Sequence, residues 1–269
     1  MECTRRGKIK RIKRLIEELN IDSNSIEKIR EYNYQHELSR VDKVTKLSIL
    51  YSQPKWMVKY LLELLKNPVE CEELLKRLNE PPTIWIRANT LKIKVDDLIN
   101  ILRRRGVRVI KDKDIPYALK VVKGGGKLTT LPEYKQGLYY IQDKSSMIVI
   151  HNLKPGENAI IYDLCSAPGG KASLIIQLTN GNVYLVGVDI SLHRIKVEKI
   201  MLNRLLGPRF IGDLIQGDST THLLNIRRAN IVLVDPDCSA LGKLGHSPEI
   251  RLWIRKEHIK HFMNTQINY

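Results

Sequence analysis

Four aspartates close four short apolar runs, and what surrounds them decides the chemistry they could do. AIIYD ends in Asp163, NVYLVGVD in Asp189, FIGDLIQGD in Asp218 and NIVLVD in Asp235. Directly after the first comes a bend of small residues, Cys165, Ser166, Ala167, Pro168, Gly169 and Gly170, which reaches Lys171 and the helix-like ASLIIQL. Paired glycines let a ligand approach the backbone, because no Cβ intervenes and positive φ costs little. Free N–H groups at the following helix start favour an anionic group, a carboxylate or a phosphate. One acidic strand end can equally cap a helix or sit in a solvated turn. Four in series predict a shared ligand site.

The elements that must position these residues follow from the same stretch. Ala159–Tyr162, Val183–Val188 and Asn230–Val234 read as strands, with helix-like ASLIIQL and HRIKVEKIMLNRLL between successive runs. Such alternation predicts βαβ units and a mostly parallel sheet, an α/β fold. The acids then fall at the carboxyl ends of strands, where open α/β sheets bind ligands. Asp189 lies about twenty residues beyond the glycine bend, where a carboxylate accepts both hydroxyls of a ribose. Asp218, on the next loop, could accept from the amino group of an adenine. A nicotinamide dinucleotide and S-adenosyl-L-methionine both suit that arrangement. The G-x-G-x-x-G fingerprint is absent, and APGGK supplies little glycine backbone for a pyrophosphate, which favours S-adenosyl-L-methionine.

DLCSAPGGK, VGVDIS, IQGD and VDPDCSALG together resemble the motifs of the RsmB/Sun-type (Fmu) RNA cytosine-5 methyltransferases. The resemblance runs back through LPEYKQGLYYIQDKSS and IWIRANTLK to the neighbourhood of Leu47. It implies a Rossmann-like methyltransferase sheet preceded by a small α+β RNA-recognition-like module and a helical N-terminal region. It also implies S-adenosyl-L-methionine as cofactor and tRNA or rRNA as partner. On this basis the bend Cys165–Lys171 would hold the methionine end, with Lys171 a candidate partner for its carboxylate. Asp189 would take the ribose, Asp218 the adenine, and Asp235 the sulfonium side and the target base. Arg194 either borders the ribose or is a helix-surface arginine.

Methylating C5 of cytosine needs a thiolate to add at C6, which makes C5 nucleophilic. It also needs a carboxylate near N3 and a base for the C5 proton, on a cytosine that is unpaired or flipped out. Asp235 suits the N3 partner. The resemblance implies that the cysteine at the position of Cys238 assists product release, while the attacking thiolate comes from a Thr-Cys pair on the next strand. Two departures stand out. Asp237 replaces the proline usual before this cysteine, and a neighbouring carboxylate disfavours thiolate. No Thr-Cys pair follows HSPEIRLWIRKEHIKHFMNTQINY, so the expectation is a C-terminally truncated, catalytically incomplete methyltransferase. A partner that supplies the missing strand, or direct attack by Cys238, are the alternatives. A non-catalytic RNA-binding protein that keeps the fold is the competing reading from another class.

The remainder of the 269 residues is read around this centre, with a helical region at 1–80, the small module at 81–141 and the methyltransferase domain at 142–269. A formal charge of +16 suits a polyanion partner through counterion release, although a lysine-rich solvated surface would carry it too. The basic run Thr4–Arg14 could be a phosphate-gripping arm or a solvated helix start. Tyr32, Tyr34 and His36 read as helix packing, and YSQPKWMVKYLLELLKN as an amphipathic helix burying Trp56, Val58, Leu61, Leu62 and Leu65. After Pro81-Pro82 the period changes: IWIRANTL, VRVIKD, ALKVVKG and GLYYIQD are strands, VDDLINILRRRG a helix, and Gly124-Gly125-Gly126 a flexible loop. Arg87, Lys92, Arg103, Arg104 and Arg105 could line an RNA path. Gln142-Asp143-Lys144-Ser145-Ser146 begins the next helix and, by resemblance, borders the active site. Cys3, Cys71, Cys165 and Cys238 contain no C-x-x-C pair, so neither a zinc site nor a disulfide framework is expected, and no metal. No apolar run reaches roughly 18 residues and no signal-peptide stretch is present, which predicts a cytoplasmic protein without a membrane partner. The oligomeric state is not fixed by the sequence.

Overall fold

The computed structural model describes residues 38–221 and 228–269. The basic run Thr4–Arg14 and the aromatic residues Tyr32, Tyr34 and His36 lie outside the described residues. The chain divides after Arg77 into two compact units. The described part of the first unit holds three helices: α1 (Lys43–Tyr51), α2 (Lys55–Leu65) and α3 (Pro68–Arg77). Asp42 caps α1 by accepting from the backbone N–H of Thr45 at 3.0 Å. In α2 the stripe differs from the expected one: Met57 and Val58 are fully buried, whereas Trp56 is only half-buried. Leu61, Leu62 and Leu65 are half-buried too, so the inner face centres on positions 57 and 58.

The second unit opens with β1 (Trp85–Ala88), α4 (Val95–Arg104), β2 (Arg108–Lys111), β3 (Ala118–Lys123), the single turn α5 (Pro132–Lys135) and β4 (Tyr139–Ile141). The four strands pair antiparallel in the order β2-β3-β1-β4. Leu98 and Leu102, one turn apart on α4, are buried on this sheet with Ile86, Ala88, Leu119 and Tyr139. Asp96 and Asp97 in the first turn of α4 and Arg103 and Arg104 in its last complement the helix dipole. Strand β1 stops at Ala88 because Asn89 turns the chain: its amide donates to Gly137 O at 2.8 Å and Leu205 O at 2.7 Å. The glycine run expected as a flexible loop is instead a packed turn. Gly124 has φ +81°, an added Cβ there would sit 2.6 Å from Gly106 O, and the 3-10 turn Gly125–Thr130 buries Leu128.

The expected RNA path is also redrawn. Arg87 is 1 % exposed and cannot reach a phosphate. Lys92 spends its ammonium on Gln136 O and Arg204 O, at 2.9 and 2.6 Å, and Arg105 pairs with Glu133 at 3.0 Å. Arg103 and Arg104 stay exposed.

Next come α6 (Lys144–Leu153), β5 (Ala159–Asp163), α7 (Gly170–Leu178), β6 (Val183–Asp189), α8 (Leu192–Leu206), β7 (Gly212–Gln216), β8 (Ile231–Leu233), α9 (Ile250–Trp253) and α10 (Lys256–Ile267). Strands β7-β6-β5-β8 form a parallel sheet in that order, as the alternation predicts. β5 has β6 on one side and β8 on the other, so the winding reverses there and a crevice opens above the carboxyl ends of these strands. β5 and β6 do end on Asp163 and Asp189. β7 stops at Gln216 and β8 at Leu233, so Asp218 and Asp235 stand on the loops beyond their strands. Ile161, Leu185, Ala172, Leu174, Ile175, Met201 and Leu205 form the core beneath the sheet, together with Met147 and Ile150. No helix among the described residues is long and apolar enough to cross a membrane.

Candidate cofactor site

The bend after β5 is shaped by its neighbours on the sheet. Leu164 N–H donates to Leu233 O and Ser166 N–H to Val188 O, both at 2.9 Å, so the chain crosses between the ends of β8 and β6. Ser166 Oγ then donates to Glu198 Oε2 at 2.8 Å, which ties the bend to α8. Gly169 closes the turn at φ +90° and precedes the first residue of α7. An added Cβ at Gly169 would lie 2.9 Å from Glu198 Cγ and 2.5 Å from Met201 Cε. The first N–H groups of α7 thus open toward the crevice without an intrahelical acceptor.

Around this bend stand the acids. Asp163 is 1 % exposed, and burial pushes its carboxyl up to about 7, with Asp235 and Asp189 adding and the Cys165 N–H and Lys171 opposing. Asp189 is buried as well. One of its oxygens accepts from Ser191 N–H at 3.0 Å and the other lies 3.4 Å from Arg194 Nη2. Arg194 also donates to Ala167 O and lies 3.6 Å from Asp237. It therefore bridges the bend, the β6 end and the loop after β8, and is more than a surface arginine of α8. Lys171 is ion-paired with Asp235, so these two candidates are each other's partner. Asp218 is turned back on Thr220, whose N–H and hydroxyl donate to one of its oxygens at 3.0 and 2.7 Å and hold its carboxyl below the usual range.

Two hollows meet at Cys165. The larger, about 240 Å³, is lined by Tyr140, Gln142, Asp163, Gly170, Lys171 and Asp235, among others. Ser166, Ala167 and Pro168 also border it. The smaller, about 30 Å³, is lined by Leu164, Asp189, Ile190, Arg194, Gly217 and Tyr269. Tyr269 fills part of it, its ring packed against the cluster of Leu164, Val186 and Val188 and its phenol beside Cys165. Asp218 and Cys238 line neither hollow, and Cys238 is exposed. Gly169 lies beneath, against α8.

Glu198 belongs to this site and was not anticipated. It is fully buried, with one carboxyl oxygen on Ser166 and the other without a partner among the described residues. Burial pushes its carboxyl up to about 7; Asp163 and Asp189 add, while the Ser166 hydroxyl and Arg194 oppose. A sequence signal existed: Ile195, Glu198, Met201 or Leu202, and Leu205 recur every three to four residues, which sets a carboxylate on an apolar stripe.

Comparison with known proteins bears on the same residues. Residues 150–268 match the family described as 16S rRNA methyltransferase RsmB/F, and residues 53–126 match the RsmF/B-like methyltransferase ferredoxin-like domain. Ribosomal RNA small subunit methyltransferase B of Photorhabdus laumondii is 30% identical over 206 residues, 76% of this chain and 46% of that protein. The enzyme of the same name from Serratia proteamaculans is 28% identical over 209 residues, 77% of this chain and 47% of that protein. The chain thus spans about half the length of the curated relatives it matches. The crystal structure of PH0851 superimposes with a TM-score of 0.77 at 26% identity, covering 85% of this chain and 51% of that one. The structure of NSun6 from Pyrococcus horikoshii with SFG has a TM-score of 0.70 at 21% identity over 80% of this chain and 78% of that one, a likeness of fold.

Proposed function

The chain belongs to the RsmB/F methyltransferase family, and on that premise we propose that it binds S-adenosyl-L-methionine in the crevice above β5, β6 and β8 as the cofactor half of an rRNA or tRNA cytosine-C5 methylation site, the Thr-Cys thiolate that would add at C6 not being among its residues. In this reading residues 142–269 form the methyltransferase domain, 81–141 the RNA-recognition-like module and 1–80 the helical region.

The observation that carries the proposal is the pair of hollows joined at Cys165. One is walled by the glycine bend and the start of α7, the other by a buried ribose-type carboxylate. The residues fit the cofactor. Gly170 leaves its backbone open, since a Cβ there would already stand 3.3 Å from Tyr140 Cε1. At the smaller hollow an adenine ring would take the place of the Tyr269 ring, which packs against the cluster of Leu164, Val186 and Val188. Bound there, S-adenosyl-L-methionine supplies an electrophilic methyl group. Cys165, Ser166, Ala167, Pro168, Gly169, Gly170 and Lys171 would hold its amino-acid end, while Asp189 and Arg194 would hold its ribose. Asp218 would have to release Thr220 to reach an adenine amino group.

Asp235, held in place by Lys171, would meet N3 of the target base and share a proton with it. Cys238, three residues beyond in sequence and open to solvent, would assist product release. The RNA partner follows from the same family premise and from the formal charge of +16.

Calorimetric titration with S-adenosyl-L-methionine tests the reading. Wild type is expected to bind, and Asp189→Ala to bind at least about tenfold more weakly, since hydrogen bonds to a charged group are lost. Absence of heat with wild type, or an unchanged affinity in Asp189→Ala, would overturn it.

A further inference from the structure

Arg87 is a buried cation that forms no ion pair with any described residue. It lies on β1, 1 % exposed, and its guanidinium is spent on neutral acceptors. Nη1 donates to Gln142 Oε1 and to Gly170 O, both at 2.9 Å, and Nη2 donates to Ser173 Oγ at 2.7 Å. The Tyr140 ring lies 5.5 Å from its centre. Burial lowers its pKa to about 10, which leaves it charged at neutral pH.

This geometry settles a choice that an amide otherwise leaves open. Guanidinium carries donors only, so the Gln142 atom that faces it must be the oxygen. The Gln142 NH2 group therefore points the other way, toward the larger hollow. Gln142 is 8 % exposed, and its Nε2 has no acceptor among the described residues. That nitrogen lies 3.4 Å from where a Cβ on Gly170 would stand, beside the open N–H groups of α7. That donor opens onto the larger hollow, so an acceptor on a ligand seated there can take it up. Next to a helix start, an anionic acceptor is favoured.

We propose that Gln142 is a cofactor-binding residue whose side-chain amide donates to the carboxylate of S-adenosyl-L-methionine, and that Arg87 is the positioning residue that fixes this amide. The inference rests on reading the crevice as an S-adenosyl-L-methionine site. It assigns to the amide and the α7 start the task that the sequence suggested for Lys171, whose charge is engaged by Asp235. Because Arg87 stands on the antiparallel sheet and holds Gly170 O, the same side chain also joins that sheet to the cofactor bend.

Gln142→Glu tests this without stripping Arg87 of its acceptor: the new carboxylate still accepts from the guanidinium but has no N–H to offer. Two ligands are titrated, S-adenosyl-L-methionine and 5′-methylthioadenosine, which lacks the amino-acid end. The expected result is an affinity loss of about tenfold or more for the first and none for the second. Arg87→Met, which frees the amide to turn, is expected to show the same selectivity, with Arg87→Lys recovering part of it; a merely structural role would weaken both ligands alike. Equal losses for the two ligands, or no loss in Gln142→Glu, would overturn the inference. So would a loss confined to RNA affinity, which would point the amide at the nucleobase. If wild type binds neither ligand, the reading of the crevice itself fails and this assignment with it.

Discussion

Gly169→Ala is expected to weaken S-adenosyl-L-methionine binding by at least about a hundredfold, an effect of roughly 2.7 kcal/mol, and to lower stability as well. Two causes act together. The backbone sits at φ +90°, where a side chain costs about 1–2 kcal/mol. The new Cβ would also stand 2.5 Å from Met201 Cε and 2.9 Å from Glu198 Cγ. A methionine tip can swing aside. Glu198 cannot do so cheaply, because it is fully buried and holds Ser166. Relief must therefore come from the bend, which carries Ser166 on one side and the start of α7 on the other. Gly126→Ala is the control, for a Cβ there meets nothing within 4 Å. Titration of both variants decides the matter. An affinity for Gly169→Ala within about threefold of wild type would show that the bend does not form the cofactor cradle.

The second large effect runs in the opposite direction. Glu198→Gln is expected to stabilise the protein at pH 8 by an amount on the order of 3 kcal/mol. Glu198 has its carboxyl pushed up to about 7 from an ordinary 4.5. Between those values the folded state holds a proton that the unfolded chain has released. Stability from this group therefore falls as pH rises from about 4.5 to 7 and stays low above it. Glutamine keeps an oxygen for the Ser166 hydroxyl and carries no charge. Urea unfolding at pH 4.5 and pH 8 should find the variant and wild type alike at the lower value and separated at the higher. Asp163, pushed up to about 7 by burial, adds a slope of the same sign, so the variant flattens the profile only in part. Equal stability of the two proteins at pH 8 would show that Glu198 is not penalised by its surroundings.

The parallel sheet and the bend were legible because both are local in sequence. Apolar runs with period-breaking acids mark β5 and β6, and CSAPGGK contains its own turn and helix start. The strands of the small sheet followed from the shift to alternation after Pro81-Pro82, whereas their order did not. What escaped depends on contacts between distant residues. Arg87 reads as a surface charge in IWIRANTL, yet its partners Gln142, Gly170 and Ser173 are 55, 83 and 86 residues away. No period reports a strand whose second face is covered by another layer. Glu198 was written into the apolar stripe of α8 but was masked by the lysines around it. Asp218 was correctly set on the loop after β7, but its capture by Thr220 is a matter of side-chain rotamer, which spacing does not encode. The link between Lys171 and Asp235 likewise needs the two ends of β5 and β8 to be seen side by side.

Tyr269 gives the smaller hollow a built-in competitor. Its phenol ring lies on the apolar cluster of Leu164, Val186 and Val188, beside the cysteine shared by the two cavities. On the proposed reading an adenosyl group seated there would have to displace it, and the affinity read in a titration would be an apparent one, the intrinsic value scaled down by the fraction of molecules in which the ring has left that wall.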